Sequence, residues 1–518
     1  MNCIIRASLA LAALLSITQA PPEPRRLIAI FVVDGLRPDS INAADTPTIA
    51  RLRSEGVDYV NSHSVFPTST RINAASLMTG SYPSRHGIVG NSMFLAGVNP
   101  DAPFDTGDYR QLIRLEEADG RVVTTPTLGE ILQRNGRSLV TLSSGTTGNG
   151  FVLNPQARHG AAGVAIHGLF DPGKTAAFPA AISDAVVRRF GAPPPDPDDI
   201  GQMEWTDTVL RDYVLPDLRP DVVVDWMGPL DAAQHEHGVS SPEAKRALAA
   251  IDSSLARSIS ALESLRPARQ VDVVITSDHG FAQHTAGVNV VDALVGAGLK
   301  ASARSTDVIV ASQSQSVLFY VPSHEPRAVT ELVRFLQQQS WAGVIFTRGG
   351  KDGQGSVPGT LSFDLTKGSH ATRAPDVAAT LAWSSDRNPH GVPGAQTIVS
   401  ARPGPITSGA SGHGGLSPWA VRNTLVLSGA DFKTRTRVEA PASLPDVMPT
   451  VLKLLAVDGD RCESGCGRVL EEALRVSTKP SPNVTRRTLT TSSGAYRASV
   501  RISSVGGYDY VDEGSRQK

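Results

Sequence analysis

Three short stretches of this 518-residue chain leave little freedom in how it can fold. Leu27–Val33 reads LIAIFVV, Val222–Met227 reads VVVDWM and Val271–Thr276 reads VDVVIT. None alternates apolar with polar residues, as a strand with one wet face would. The first is a continuous apolar run and the other two are interrupted only by Asp225 and Asp272; such runs are what strands buried on both faces show, and such strands belong to parallel sheets covered by helices. Helical patterns lie between them. Thr46–Glu55 has Pro47 near its start and Gly56 after its end. Ser241-Pro242-Glu243 opens a longer one, in which Leu248, Ile251, Leu255, Ile259 and Leu262 recur at helical spacing. The alternation predicts an α/β fold, a mostly parallel central sheet with helices on both faces.

Each run passes almost directly into residues that carry chemistry. The first ends in Asp34-Gly35 and the third in Ser277-Asp278-His279-Gly280. The second leads into GPLDAAQHEHG, where Asp231 and His235 stand four apart, on one face if that turn is helical. Carboxyl ends of parallel strands share one rim, where α/β sheets place their ligands. Two loop segments can reach that rim. Gly409–Trp419 is Gly-rich and carries His413. Val65–Asn91 carries Thr70 before an Ala-rich run, Ile72–Met78, closed by Gly80 and Pro83, which reads as a short helix with a hydroxyl at its start. Alone, Thr70 is simply an N-cap. Beside Asp34, Asp231, His235, Asp278, His279 and His413 it acquires a second reading.

Three carboxylates gathered on one rim repel unless cations sit among them. A mixed Asp/His set suits zinc better than magnesium, which prefers oxygen alone. Two such ions ~4 Å apart would clamp the attacking and leaving oxygens of a phosphoryl displacement. Coordination would also supply the deprotonation that a threonine hydroxyl needs to become a nucleophile. The helix N-terminus after Thr70 offers N–H donors to phosphate oxygens, and Asn91 a further donor to developing charge. His63, His86, His237 and His370 are expected on a polar surface or in core hydrogen bonds.

The remaining sequence bounds the setting. A net charge of −1 argues against a nucleic-acid binder held by bulk charge, and no specific nucleic-acid binding is expected. Arg6, the apolar run Leu9–Ile17 and Thr18-Gln19-Ala20 form a secretory signal pattern over residues 1–20, which implies export to the periplasm or medium. No later segment reaches ~18 uninterrupted apolar residues, so no membrane span is expected once that segment is removed. Cys462 and Cys466, in CESGC, could close a small disulfide loop in an oxidising compartment. Residues 21–475 read as one catalytic domain. Residues 92–126 and 348–372 lack clear periodicity and read as excursions, and residues 143–200 offer one helix, Ala180–Phe190. Residues 476–518 form an extension in which Tyr496, Ala498, Val500 and Ile502 alternate, predicting a strand or hairpin.

The pieces VVDGLRPD, FPTSTRIN, TGSYPSRHGIVGN, DAAQHEHG, SDHGF and GHGGLSP resemble the alkaline phosphatase superfamily, and within it the nucleotide pyrophosphatase/phosphodiesterase branch. The resemblance implies one zinc held by Asp231, His235 and His413, and a second by Asp34, Asp278, His279 and the nucleophile Thr70. It implies in-line attack by Thr70, a phosphothreonine intermediate and hydrolysis by zinc-bound water, with Asn91 as transition-state donor and a small-molecule phosphoester as substrate. One position departs from the pattern. Nucleotide-cleaving members carry an aromatic ring after the nucleophile, and this chain has Arg71, which points to a specificity residue able to pair with an anionic part of a substrate. A phosphomonoesterase, or a phosphonoacetate-type hydrolase, shares the ligand layout. A sulfatase is disfavoured, because Thr70-Arg71-Ile72-Asn73 lacks the Cys/Ser-x-Pro-x-Arg context, and a mutase fits poorly with a signal peptide. A binding protein on a degenerate scaffold would have lost a ligand, and none is missing.

Overall fold

A computed structural model describes residues 25–171, 175–194, 200–266, 268–401, 409–460, 462–477 and 482–517. The signal pattern lies outside these residues. The central sheet has nine strands: β1 (Arg25–Val33), β2 (Val57–Tyr59), β3 (Leu139–Ser143), β4 (Val164–Asp171), β5 (Thr175–Phe178), β6 (Val222–Met227), β7 (Arg269–Thr276), β8 (Leu425–Gly429) and β9 (Thr436–Val438). Their order across the sheet is β9-β2-β8-β7-β1-β6-β3-β4-β5. The five central strands, β7-β1-β6-β3-β4, are mutually parallel. β5 and β8 are each antiparallel to their inner neighbour.

The apolar runs do what their composition requires. In β1, Ile28, Ile30 and Val32 enter one hydrophobic core, and Leu27, Ala29, Phe31 and Val33 enter another. The first core holds α2 (Thr70–Thr79), with Ile72, Leu77 and Met78 buried in it. The second holds α1 (Pro47–Glu55) and the long helix whose apolar stripe was read above, Pro242–Ser264. Burying both faces removes each of these side chains from water, worth about 1.5–3 kcal/mol apiece for the larger ones. It also fixes register, since a one-residue slip would swap the two cores.

Three parts of the chain hold more structure than their sequence suggested. The 92–126 excursion contains α3 (Tyr109–Asp119), with Asp108 accepting a capping bond from the Arg110 amide. Its buried Leu112 and Leu115 are a narrow stripe among charges, too sparse to stand out by periodicity. Residues 143–200 contribute β4 and β5 to the sheet edge besides the expected helix over Ala180–Phe190. The extension is not a hairpin but a three-stranded antiparallel meander, Val484–Ser493, Tyr496–Val505 and Tyr508–Arg516. Its third strand packs on the body: Trp383 Nε1 donates to the Gly514 carbonyl at 2.7 Å, and Asp512 lies 2.8 Å from His63 Nε2. Cys462 and Cys466 are bonded. The loop they close braces the far end of α2 through Tyr82 N–H to Gly465 and Gly467 N–H to Gly80. Among the described residues no helix is long and apolar enough to cross a membrane.

The meander is tied in by Tyr496, whose hydroxyl donates to the Gly343 carbonyl at 2.7 Å and accepts from the Ile345 amide at 3.2 Å, all within the core. Tyr496→Phe strands two backbone groups. It should lower the unfolding free energy by about 1–3 kcal/mol in urea titration. A loss under about 0.5 kcal/mol would show that the extension does not contribute to the stability of the body.

Candidate metal centre

Asp34 follows β1 directly, Asp278 and His279 follow β7, and Asp231 and His235 lie on α4 (Pro229–His237), which begins two residues after β6. Because β7, β1 and β6 are parallel neighbours, these five side chains reach one rim. Thr70 arrives on α2 from the layer above, and His413 on the strand-like loop at Ser411–Gly412, which pairs beside Ala282.

The seven residues form one chain of contacts. Thr70 Oγ1 lies 3.3 Å from His279 Nε2. The same nitrogen is 3.5 Å from Asp34 Oδ1 and 3.1 Å from Asp278 Oδ2. The His279 and His413 rings stack with centroids 3.6 Å apart. His413 Nε2 is 3.1 Å from His235 Nε2, and both approach Asp231 Oδ1, at 3.6 and 3.5 Å. Ligand atoms of Asp231, His235 and His413 lie within 4.8 Å of one another, as do those of Asp34, Asp231 and His279. Asp231 therefore faces both groups. Asp278 lies outside the second triple, and one of its oxygens, Oδ1, is engaged by the Gly35 amide at 3.0 Å.

The donor set fits divalent metal on three counts. Asp34 Oδ1, Asp231 Oδ1 and Asp278 Oδ2 are buried and carry no hydrogen bond, a costly state for a carboxylate that nothing else compensates. Each histidine has its Nδ1 against a backbone carbonyl: His235 with Ser411 at 3.1 Å, His279 with Gly280 at 3.2 Å and His413 with Thr68 at 2.9 Å. That contact holds the proton on Nδ1 and turns the Nε2 lone pair inward, the tautomer a ligating histidine needs. With both protons so placed, His235 and His413 would aim lone pairs at each other across 3.1 Å, which a cation between them relieves. Finally, burial, reinforced by Asp278 and Asp231, holds the Asp34 carboxyl well above its ordinary range. Burial also drives the His413 imidazole well below its ordinary range, with His279 and His235 adding to the effect. Burial lowers the His279 imidazole too, but the adjacent Asp278 and then Asp231 more than offset it and leave it raised, an attraction for positive charge at Nε2 that a metal ion would satisfy in place of a proton.

The capping reading of Thr70 does not hold. Ser69 occupies the N-cap position of α2 and Thr70 is the first helical residue, so its hydroxyl is not spent on a cap. Asn91 Oδ1 accepts the Arg71 amide at 3.1 Å, leaving its Nδ2 amide without a hydrogen bond among the described residues. Arg71 runs from the site toward the first excursion, where Nε lies 3.4 Å from Thr106 and Nη2 3.5 Å from Asp105. His63, His86 and His370 are buried and bonded elsewhere, to Asp512, Ser76 and Thr124. His237 is partly exposed beside Glu236. None of the four joins the centre.

Sequence reading missed the supports. Trp226 Nε1 donates to Asp34 Oδ2 at 2.8 Å, and Gln313, from the turn between two strands of a separate sheet (Ile309–Ser312 and Ser316–Tyr320), accepts the Asn91 amide at 2.7 Å. Trp226 had a signal, an indole one residue from the end of a buried strand. Gln313 had none. Two glycines allow the close packing. Gly35 has φ +72°, and a Cβ there would come within 2.5 Å of the Phe281 ring; one on Gly280 would meet the Trp419 carbonyl at 1.9 Å.

A pH prediction follows for metal-free protein. Above neutral pH, Asp278 and His413 already hold the forms that the fold prefers, Asp278 because its pKa is lowered and His413 because its imidazole is neutral. Asp34 and His279 are raised, so their contribution is complete at low pH and is lost as pH rises through their folded values. The Tm of chelated protein should fall from pH 7 to 9, and saturating zinc should flatten that fall by binding the native state. Superimposable profiles with and without zinc would remove the metal assignment.

A family model described as type I phosphodiesterase / nucleotide pyrophosphatase matches residues 28–394. Among curated proteins, the chain is 24% identical over 256 residues to ectonucleotide pyrophosphatase/phosphodiesterase family member 1 of Rattus norvegicus. That match covers 49% of this chain and 24% of the relative. It is 28% identical over 262 residues to the bis(5'-adenosyl)-triphosphatase ENPP4 of Bos taurus, covering 50% of this chain and 48% of that one. The chain thus matches from a quarter to half of the length of these relatives. Among solved structures, phosphonoacetate hydrolase from Sinorhizobium meliloti 1021, in complex with phosphonoacetate, superposes with a TM-score of 0.59 at 17% identity, over 83% of this chain and 96% of that one. That likeness establishes the shared fold. With the family model spanning most of the chain, from β1 through the strands that carry Asp34, Asp231 and Asp278, the chain belongs to the type I phosphodiesterase / nucleotide pyrophosphatase family.

Proposed function

We propose that this chain is an exported, zinc-dependent hydrolase of phosphodiesters and pyrophosphates that works through a phosphothreonine. The observation that carries the reading is the Thr70 hydroxyl. It stands first on its helix, free of capping, 3.3 Å from His279 Nε2 and among carboxylate oxygens that no protein donor satisfies.

Asp231, His235 and His413 would hold one zinc, and Asp34, Asp278, His279 and Thr70 Oγ1 the other; when bound, the ions supply Lewis-acid charge that lowers the pKa of the hydroxyl and offsets charge on the phosphoryl oxygens. Thr70 loses its hydroxyl proton to solvent and Oγ1 attacks phosphorus as the ester oxygen opposite departs with its bonding electrons and is protonated from solvent. Water then adds its oxygen to phosphorus as the Thr70 Oγ1–phosphorus bond breaks, one water proton restores the hydroxyl and the phosphate product leaves. The positive N-terminal end of α2 and the Nδ2 amide of Asn91 would favour the phosphoryl oxygens, although the Arg71 amide itself is spent on Asn91 Oδ1. Asn91 is held for this by Arg71 N–H on its side-chain oxygen and by Gln313 on its backbone, so it need not reorganise. Trp226 and the Gly35 amide fix one oxygen each of Asp34 and Asp278, leaving the other oxygen of each for the ion. The Cys462–Cys466 bond supports an oxidising compartment, in keeping with the leader pattern. Residues 21–475 are proposed as the catalytic domain, with the meander as an integral extension.

Zinc-loaded protein should hydrolyse bis-p-nitrophenyl phosphate faster than p-nitrophenyl phosphate and lose that activity to chelator. Thr70→Ala should reduce turnover by roughly a thousandfold or more. His413→Ala should lower bound zinc from about two ions per chain to about one by elemental analysis. Comparable turnover by Thr70→Ala would refute the nucleophile, and a faster monoester rate would move the assignment to a phosphomonoesterase.

A further inference from the structure

Arg71 brings a cation to the centre that none of the steps above uses. Arg71 directly follows the nucleophile, and its charge is felt by Asp34, Asp231 and Asp278. Its backbone is fixed through the Asn91 side chain, but its guanidinium is poorly engaged. The edge formed by Nε–H and Nη2–H is the one that grips an oxyanion with two parallel bonds. Elsewhere in this chain that edge binds tightly: Arg25 holds Asp221 at 3.1 and 3.1 Å, and Arg37 holds Asp39 at 2.9 and 2.6 Å. In Arg71 the same edge has a threonine hydroxyl at 3.4 Å and a single oxygen of Asp105 at 3.5 Å, the limit of a hydrogen bond. Nη1 makes no hydrogen bond among the described residues.

The wall around this edge is built, not incidental. Thr106 donates its amide to the Asn91 carbonyl at 2.9 Å and its hydroxyl to the same oxygen at 2.8 Å, so the 104–107 segment is clipped to the residue that faces the phosphoryl group. A Cβ on Gly107 would crowd both partners, lying 3.0 Å from Asp105 Oδ1 and 3.2 Å from Arg71 Nη2. Asp105 is mostly exposed, with its side chain 71% accessible, whereas that of Arg71 is only 12% accessible. Asp105 Oδ1 accepts the Gly107 amide at 2.8 Å, so a nearly buried fork faces an exposed carboxylate that another donor holds more closely than the fork does.

From this arrangement we infer that the Nε–Nη2 edge of Arg71 is a subsite for a second oxyanion of the substrate, a carboxylate or a further phosphate, for which Asp105 stands in when the site is empty. The inference rests on the proposed phosphodiesterase reading and narrows it: the preferred substrates are phosphoesters carrying another anionic group near the scissile phosphorus, rather than plain dialkyl or aryl diesters. A lysine would keep the charge but lose the fork, and an apolar side chain would lose both.

The test uses p-nitrophenyl phosphodiesters that share one leaving group and differ in the other arm: ethyl, carboxymethyl, phosphoethyl and aminoethyl. For zinc-loaded wild type, kcat/KM for the carboxymethyl or phosphoethyl ester should exceed that for the ethyl ester by about ten- to a hundredfold, the worth of a charged hydrogen-bonded pair, and mainly through KM. Whichever anionic arm gains more identifies the source of the oxyanion. Arg71→Met should bring the ratio close to one, Arg71→Lys should leave it intermediate, and Asp105→Asn should raise it by removing the stand-in. An unchanged ratio in Arg71→Met, or a preference for the aminoethyl ester in wild type, would overturn the subsite while leaving the hydrolase reading intact. If wild type turns over no diester, the hydrolase reading fails, and calorimetry on zinc-loaded protein still decides the subsite. There, 3-phosphonopropionate should bind wild type at least about tenfold more tightly than propylphosphonate. Arg71→Met should lose that difference, and equal affinities in wild type would overturn the inference.

Discussion

Mutual repulsion among Asp34, Asp231 and Asp278 is the constraint on which the rest of the architecture depends. Left to themselves, two buried carboxylates and a third half-buried one, facing one another, would open the rim or take up protons. The fold holds them there by brute packing. Asp34 and Asp278 sit at the ends of strands that share a parallel register over eight residue pairs, and Asp231 is fixed by a helix wedged against the same sheet. The cores on either side of β1 make it unfavourable for any of these strands to slide outward.

Local supports then decide which oxygens remain available. Asp34 gives one oxygen to the Trp226 indole and Asp278 gives one to the Gly35 amide. Each histidine spends Nδ1 on a main-chain carbonyl. What is left over, three carboxylate oxygens, three imidazole nitrogens and a threonine hydroxyl, is a converging set of electron pairs. Preorganisation of this kind is costly to fold and valuable to catalysis, since nothing needs to turn when charge develops. The strain relief falls to glycines: Gly35 adopts a left-handed backbone against Phe281, which no other residue could do without displacing that ring.

Much of the centre was legible in the chain because its chemistry is written at strand ends. LIAIFVV-D and VDVVIT-SDH each announce a buried strand and then an acid, so strand direction puts Asp34 and Asp278 on one rim, and the short helix that follows VVVDWM carries Asp231 to it. His235 follows from helical spacing. The supports were not legible, since Gln313, Thr68 and Asp105 act through long-range contacts that no local pattern encodes. The first excursion hid α3 because a helix that buries only a narrow stripe looks like polar loop. The third strand of the meander was missed for a related reason. Its residues Tyr508–Arg516 are acidic and Gly-containing, and their strand character comes from pairing with Tyr496–Val505 rather than from β propensity.

The two halves of the centre do not see the solvent equally. The His235 and Asp231 side chains retain 38% and 21% of their accessibility, while Asp34 retains 7% and Asp278 and His279 none. An ion held beside Asp231 and His235 would exchange with the medium faster than one held by Asp34, Asp278 and His279, so the two positions would differ in how quickly they follow the ions around them.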